Sequence, residues 1–185
     1  VVSVLGDKGQ YLPFDPPFLD RNPTIGGTVA AGISGSQRLL YGGLRDFVME
    51  VQFVDGHGEL VRGGGKVVKN AAGFDLPKLM CGSYGRLGIL TEVTLKVLPK
   101  PKGQLLLEFV GELEECLSAI QKLSMLCLPI SGMDLLPGDN TDEFRLVVTC
   151  LAPLGSLDSI SETTSATTSL PWRRSDENPD EVLRA

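Results

Sequence analysis

The sequence has few of the residues on which several common functions depend. It contains one histidine, His57, and four cysteines without a Cys-x-x-Cys spacing, so no metal site is expected. No apolar run approaches the length of a bilayer span, and the N-terminus lacks the basic region and cleavage site of a signal peptide. Neither half has a dense basic patch. We therefore expect no membrane span and no nucleic-acid partner.

Charge is distributed unevenly along the chain. The hydrophobic fraction is 42% and the charged fraction 22%, which is typical of a soluble globular protein. Residues 1–102 carry a balance of +3, whereas residues 103–185 carry −9. This shift predicts a boundary near 99–103 and a front half able to accept an anionic ligand. The cysteines lie among apolar residues, which indicates reduced, mostly buried thiols of a cytoplasmic protein.

Glycine is concentrated in one part of the chain. Fifteen of the 22 glycines lie among the 63 residues from Gly26 to Gly88. The glycine fraction of this segment is more than three times the average usage of about 7%. The same segment also contains predicted strands and a capped helix, so it is not a disordered linker.

The stretch from Gly65 to Pro99 organises the sequence. Asp75 is a good N-cap for a short helix with Pro77 in its first turn, and Gly82 is suited to end that helix. The predicted apolar face of the helix consists of Leu76, Leu79 and Met80. A strand follows, and one of its faces carries Val93, Leu95 and Val97.

Gly85 and Gly88 lie directly before that strand. A side chain at either position would block a flat ligand or a packed strand. The alternative is a tight turn without a ligand, since short glycine motifs have a high false-positive rate.

A second glycine-rich block precedes the first predicted strand. Gly26 and Gly27 are interpreted as a turn, followed by a short helical segment over 28–31 capped near Thr28. Free N–H groups at such a turn suit a phosphate. The alternative, equally weighted, is that small residues only permit close packing.

The rest of the front half is predicted as follows. Residues 1–10 contain the end of a helix, and residues 11–17 form a proline-rich extended loop. Residues 47–54 form a strand in which Val48 shares a face with Glu50 and Gln52. A turn at 55–58, with His57 exposed, joins it to a strand over 59–62 as a β-hairpin.

The back half is predicted to be ferredoxin-like. Strands are expected at 104–110, 130–136 and 144–151, with a helix over 113–126 and a second helix from Leu154 onward. The order β-α-β-β-α matches most of a ferredoxin-like unit. The apolar face of the first helix is predicted to contain Leu113, Leu117, Ile120 and Leu123. From Thr163 the chain is polar and is expected to be loose.

Two blocks together resemble a known flavoprotein superfamily. One is Thr24-Ile25-Gly26-Gly27 with Tyr41-Gly42 and Arg45-Asp46, and the other runs from Lys69-Asn70-x-x-Gly73-Phe74-Asp75-Leu76 to Gly88-Ile89-Leu90-Thr91. They are similar to the superfamily of vanillyl-alcohol oxidase and p-cresol methylhydroxylase (PCMH). Residues 68–75 and 93–99 resemble, more closely, the FAD-binding subunits of bacterial glycolate oxidases.

The resemblance implies an α+β fold and FAD as cofactor. Residues 1–102 would be the second subdomain of a PCMH-type FAD-binding domain whose N-terminal part is missing. Residues 103–185 would be a partial ferredoxin-like cap domain with a loose C-terminal tail. Because the family's pyrophosphate loop is not found, we expect the isolated chain to retain little FAD and to self-associate through the unfilled cleft.

The resemblance also implies a set of cofactor-binding positions. These are Pro23, Thr24, Ile25, Gly26, Gly27, Thr28, Gly32, Gly35, Tyr41, Gly42, Gly85, Gly88, Ile89 and Leu90. The catalytic residues are unknown, since His57 is badly placed for the histidine chemistry of related 2-hydroxy acid enzymes.

Two functions follow from the resemblance. The first is an FAD-dependent oxidoreductase subunit that oxidises a small 2-hydroxy acid together with other subunits of a glycolate oxidase-like complex. The second is a non-catalytic assembly subunit that keeps the fold without turnover. With the cytoplasmic location that the reduced cysteines indicate, any membrane association is expected through partner subunits.

Overall fold

The computed structural model describes residues 1–16, 18–65 and 74–175. Its contacts cluster into two units, Val1–Lys100 and Pro101–Ala185. The helices are α1 (Val2–Asp7), α2 (Ile25–Ala31), α3 (Arg38–Tyr41), α4 (Leu76–Met80), α5 (Leu113–Ser124) and α6 (Leu157–Thr168). The strands are β1 (Gln10–Tyr11), β2 (Val48–Val54), β3 (Leu60–Gly64), β4 (Ile89–Leu95), β5 (Leu98–Pro99), β6 (Gln104–Gly111), β7 (Ile130–Pro137), β8 (Phe144–Leu151) and β9 (Arg173–Ser175).

The first unit is built on a three-stranded antiparallel sheet in the order β3-β2-β4. Strands β1 and β5 form a separate antiparallel pair. Tyr11 is therefore in a strand and not in the predicted loop, and Gln10 is in a strand and not in the predicted helix end. The predicted hairpin is confirmed by the antiparallel pairing of β2 with β3. In its turn, the Asp55 carboxylate accepts from the amides of His57 (2.8 Å) and Glu59 (2.9 Å). As predicted, His57 is exposed in this turn.

Two bulges set the faces of the central strands. Met49 is displaced from the β2–β4 register, so Val48 lies in the core with Val51 and does not share the face of Gln52 as predicted. Thr91 is the extra residue on β4, where its hydroxyl donates to the Gln52 carbonyl oxygen at 3.1 Å. An extra residue reverses the alternation of a strand. The buried side chains of this unit are Leu12, Phe14, Val29, Leu44, Phe47, Val48, Val51, Phe53 and Met80.

Helix α4 has the predicted bounds, cap and stop. The Asp75 carboxylate accepts from the Lys78 amide at 3.1 Å, and Gly82 takes a left-handed φ of +77° just after the helix. Met80 is fully buried, but Leu79 is 54% exposed and does not belong to the predicted apolar face. The part of the second resemblance block over residues 69–73 lies outside the described residues.

The second unit is a four-stranded antiparallel sheet in the order β7-β8-β6-β9 with α5 and α6 on one face. This is a complete βαββαβ ferredoxin-like arrangement. The prediction of a loose segment from Thr163 was wrong, because α6 extends to Thr168 and β9 pairs with β6. The end of the predicted loose tail, residues 176–185, lies outside the described residues.

Helix α5 buries two residues of the predicted face, Ile120 and Leu123, but leaves the other two largely exposed. Cys116, Ala119 and Leu123 are each at most 1% exposed, whereas Leu113 and Leu117 are 40% and 50% exposed. Small residues let the helix approach the sheet closely, so the helix is rotated relative to the leucine pattern. On the sheet side, the core contains Leu105, Leu107, Phe109, Leu146, Val148 and Cys150.

Candidate functional site

Helix α2 presents the first predicted block. The Thr24 hydroxyl accepts from the Gly27 amide at 3.0 Å, so Thr24 is the N-cap and the helix begins at Ile25. The interpretation of Gly26 and Gly27 as a turn, with a cap near Thr28, was therefore wrong. Two glycines cost about 1 kcal/mol each in a helix interior. They are accommodated at the first turn because Thr24 closes the helix end.

The amides of Ile25 and Gly26 have no carbonyl partner within α2, because the first N–H groups of any helix have none. Among the described residues no other acceptor pairs with them. The Thr28 amide instead donates to the Thr24 carbonyl oxygen at 2.9 Å. Pro23 and Thr24 are exposed beside these amides. Two free donors with a helix N-terminus behind them suit a phosphate oxygen.

The other end of α2 is joined to the turn between α4 and β4. The amides of Gly82 and Tyr84 donate to the carbonyl oxygens of Val29 (3.1 Å) and Ala30 (2.9 Å). Gly32 ends α2 with φ +67°, and a Cβ atom there would lie 2.9 Å from the Gly82 Cα. Gly32 is therefore required by this backbone contact and by the helix end.

The same packing brings the two predicted blocks together. A Cβ atom on Gly26 would lie 3.5 Å from the Leu90 Cβ, so the first turn of α2 lies beside the start of β4. Leu90 packs against the core, whereas the Ile89 side chain is 73% exposed next to it. The amides of α2 and the apolar Ile89 side chain thus belong to one neighbourhood of the first unit.

The two glycines before β4 serve different purposes. A Cβ atom on Gly88 would overlap the Val54 carbonyl oxygen and lie 2.8 Å from the Phe53 Cδ2. Packing against β2 is therefore sufficient to require glycine at position 88. At Gly85, where φ is +73°, a Cβ atom would meet nothing within 4 Å. Of the two, only Gly85 borders open space.

Tyr41 and Gly42 occupy another neighbourhood. The Tyr41 ring meets the Tyr11 ring edge-on at 6.3 Å between centroids. Burial, followed by a hydrogen bond with Tyr41, raises the pKa of Tyr11. Gly42 has φ +85° and lies against the Asp46 carboxylate, which accepts from the Gly43 amide at 3.0 Å. This loop geometry accounts for both residues without a ligand.

Gly35 is likewise explained by local packing. Its amide donates to the carbonyl oxygens of Phe14 (3.1 Å) and Asp15 (3.0 Å), and a Cβ atom would overlap the Asp15 carboxylate. Its assignment as a cofactor-binding position stays a prediction.

Electrostatics connect the loop after Gly42 with α4. Burial raises the pKa of Cys81 to about 11, although the Arg45 charge acts in the opposite direction. Burial alone would also raise the pKa of Asp75, but hydrogen bonds from Lys78 and the charges of Lys78 and Arg45 outweigh it and lower that pKa. The charge of Arg45, a residue of the first block, therefore influences the pKa of two residues of the second block.

Sequence reasoning did not assign Ser83 and Tyr84 to the site. The Ser83 hydroxyl is buried without a hydrogen-bond partner among the described residues. Tyr84 is a non-glycine residue with φ +52°, and its side chain is 71% exposed. Their position between Gly82 and Gly85 was the available signal, because glycines on both sides favour an irregular turn.

Comparison with known proteins identifies this region. Residues 1–64 match the family described as "FAD binding domain". This match covers 64 of the 185 residues of the chain. Together with the relatives below, this confirms the predicted resemblance to FAD-binding flavoproteins and FAD as the cofactor.

Three relatives illustrate the match. The chain is 44% identical over 133 residues to "Glycolate oxidase subunit GlcE" of Escherichia coli (strain K12), which covers 72% of this chain and 38% of that protein. It is 39% identical over 102 residues to "Glycolate oxidase subunit GlcD" of Bacillus subtilis (strain 168), covering 55% and 22%. It is 40% identical over 119 residues to "D-lactate dehydrogenase" of Anaerostipes hadrus, a match that covers 64% of this chain and 25% of that protein. The chain thus spans well under half the length of each of these relatives.

A solved structure of alkyldihydroxyacetonephosphate synthase matches the fold. Its TM-score is 0.77 at 18% identity, covering 99% of this chain and 41% of that one. At this identity the likeness concerns the fold alone. It confirms the predicted α+β class.

The residues present fit part of an FAD molecule. The unpaired amides of Ile25 and Gly26 are donors for a phosphate, and Gly85 leaves room for a ring to approach the backbone. Among the described residues no group of three His, Cys, Asp or Glu side chains could hold a metal ion. In the same part of the chain, no helix is long and apolar enough to cross a bilayer.

Proposed function

We propose that this chain is the FAD-binding part of an oxidoreductase that oxidises a small 2-hydroxy acid. The observation that carries the proposal is the 44% identity to a glycolate oxidase subunit over 133 residues. The structure adds a contact between α2 and β4, near which the amides of Ile25 and Gly26 are unpaired among the described residues and Gly85 borders open space. Glycolate and D-lactate, named in the relatives, are both 2-hydroxy acids.

The reaction removes two electrons from the substrate. A hydride equivalent leaves C2, the hydroxyl proton goes to a base, and the product is the 2-oxo acid. Bound FAD supplies the two-electron acceptor, while the protein holds and orients it. In this chain the Ile25 and Gly26 amides would hold a phosphate oxygen, and Gly85 would admit a ring to its backbone. The catalytic base is not assigned.

The proposal includes other subunits of a glycolate oxidase-like complex as partners. It rests on the names of two relatives, which are subunits. The four free thiols favour a reducing compartment, so we infer a cytoplasmic location. The alternative of a non-catalytic assembly subunit is supported by the exposed position of His57, the sole histidine.

Flavin content and flavin reduction test these functions separately. The complete protein is purified, its absorbance near 450 nm is recorded, and the released flavin is identified by chromatography. Glycolate and D-lactate are then added without oxygen. Bound FAD that is bleached by either acid is the expected result. FAD without bleaching by any 2-hydroxy acid would favour the assembly role, and a protein without flavin would overturn the proposal.

A further inference from the structure

Helix α6 has little stability of its own. Seven of its twelve residues are Ser or Thr, whose hydroxyls compete for backbone groups and so disfavour a helix. Three of those hydroxyls donate back to carbonyl oxygens of the helix itself, from Thr163, Thr164 and Thr168. The side chain of its N-cap, Ser156, does not cap it, and its C-cap, Ser169, has an unfavourable φ of +61°. An isolated helix of this length is marginal in water, so α6 depends on its tertiary contacts.

The buried face of α6 is also poor in apolar side chains. Only two of its four buried residues, Leu157 and Ile160, are aliphatic, and the others are threonines. The helix beside it, α5, has the same length, a capping box at its start and the fully buried Leu123. Of the two helices on this sheet, α6 is therefore the less firmly held.

The segment that follows α6 clasps the helix at both ends. Near the C-terminal end, the Trp172 indole N–H donates to the Thr168 hydroxyl oxygen at 2.7 Å. That hydroxyl donates in turn to the Thr164 carbonyl oxygen at 2.8 Å. At the N-terminal end, the Arg174 guanidinium donates to the carboxylate of Asp158, in the first turn, at 2.8 Å. Both ends of the helix are thus held by one short stretch of chain.

Strand β9 is itself a small edge element. It has three residues, and among the described residues it pairs with β6 alone. Arg173 and Arg174 are exposed. Its apolar anchor is Trp172, which packs against the core with its ring 5.9 Å from the Phe109 ring. Trp172 therefore joins the two elements, because its ring contacts the core of the sheet and its N–H contacts α6.

We propose that α6 and β9 form a latch that detaches from the ferredoxin-like unit as one piece, well below the free energy of global unfolding. Neither element has enough contacts to stay in place without the other, so release of Trp172 releases both. Opening removes the strand that covers one edge of β6. A bared sheet edge is a template for a strand from another chain, so the latch controls access to that edge. The proposal is independent of the FAD-binding function.

Native-state hydrogen exchange of the complete protein, in urea below the unfolding midpoint, tests the latch. The amides of α6 and β9 are expected to share one opening free energy, lower than that of α5 and β8. Trp172→Phe keeps a ring but loses the N–H, and it should speed exchange in both α6 and β9 about fivefold or more while leaving β8 unchanged. Ser169→Gly relieves the φ of +61° and should slow exchange in the same two elements. Met125→Ala, at an 81% exposed position after α5, is the control and should change neither.

Three results would overturn the latch. The first is a different opening free energy for α6 and for β9, and the second is faster exchange in β9 alone after Trp172→Phe, since each means that the elements open separately. The third is exchange of α6, β9 and β8 in step, which would mean that only global unfolding exposes them. The wild-type comparison requires no variant, so it decides the matter even if Trp172→Phe does not fold.

Discussion

The two units differ in how much their close packing depends on glycine. In the first unit, backbone approaches backbone or ring at glycines, as between Gly32 and Gly82 or between Gly88 and Phe53. In the second unit, α5 and α6 pack on a sheet through buried side chains such as Leu107 and Leu123. A close backbone contact also occurs there just before β6, where Gly103 lies against the Ala152 carbonyl oxygen. A cofactor-binding unit needs exposed, shaped backbone, whereas the ferredoxin-like unit needs only a filled core.

Gly88→Val should break the first unit most strongly. The side chain would overlap the Val54 carbonyl oxygen and the Phe53 ring, at a backbone φ of +154°. Overpacking and backbone strain together predict a loss of about 3 kcal/mol or more. Hydrogen exchange of the β2 and β4 amides measures the effect. Unchanged protection would show that β2 does not require glycine here.

From the sequence, a side chain at position 88 would block either a flat ligand or a packed strand, and the structure shows that it would meet strand β2. Gly85→Ala is the matched control, because its Cβ would meet open space and only the left-handed φ of +73° opposes it. A cost of about 1 kcal/mol is expected. Equal losses in the two variants would contradict the packing argument.

Leu107→Ala should destabilise the second unit by about 3 kcal/mol. Leu107 is 0% exposed at the centre of its core, and a cavity would remain. Trp172, the single tryptophan, is a local probe: its ring lies 5.9 Å from the Phe109 ring, so its fluorescence in a urea titration reports on this unit. Leu113→Ala, at a half-exposed position on α5, should cost less than about 1 kcal/mol. A larger loss from Leu113→Ala would restore the face predicted by periodicity.

Thr24→Ala should cost about 1 kcal/mol through the start of α2. The variant loses the hydroxyl that accepts from the Gly27 amide. Thr24→Ser keeps that acceptor and should stay near the wild type. Exchange rates of the α2 amides separate the two variants. If Thr24→Ser were as damaging as Thr24→Ala, the cap would not be the reason.

Asp75 should give a small dependence of stability on acid pH. Its pKa is lowered in the folded chain, so its contribution is complete above the unfolded value of about 4 and is lost as pH falls through the folded value. The side chain is half-exposed, so the effect is small. Urea midpoints of the wild type and Asp75→Asn, compared between pH 6 and pH 3, measure it. A wild-type advantage that grows toward pH 3 would contradict the sign.

The sequence predicted the local elements better than the contacts between elements that are far apart in the chain. The Asp75 cap, the hairpin at 55–58 and the β-α-β-β-α order could be predicted because each depends on residues a few positions apart. The candidate site was predictable as two glycine-rich blocks, through their resemblance to a known family. Their contact through Gly26 and Leu90 was not, since it joins residues far apart in the sequence.

By itself, the sequence determined which residues can turn, cap and form strands, because those preferences are properties of neighbouring residues. The tertiary structure decided which faces are buried. The Thr91 bulge turns Leu90 into the core and leaves Ile89 exposed. On α5, Cys116 and Ala119 are buried with Leu123, whereas Leu113 and Leu117 stay exposed. It also decided why glycine is needed at each position: Gly88 meets β2, whereas Gly85 meets open space. Such distinctions depend on atoms from distant parts of the chain, and no local pattern contains them.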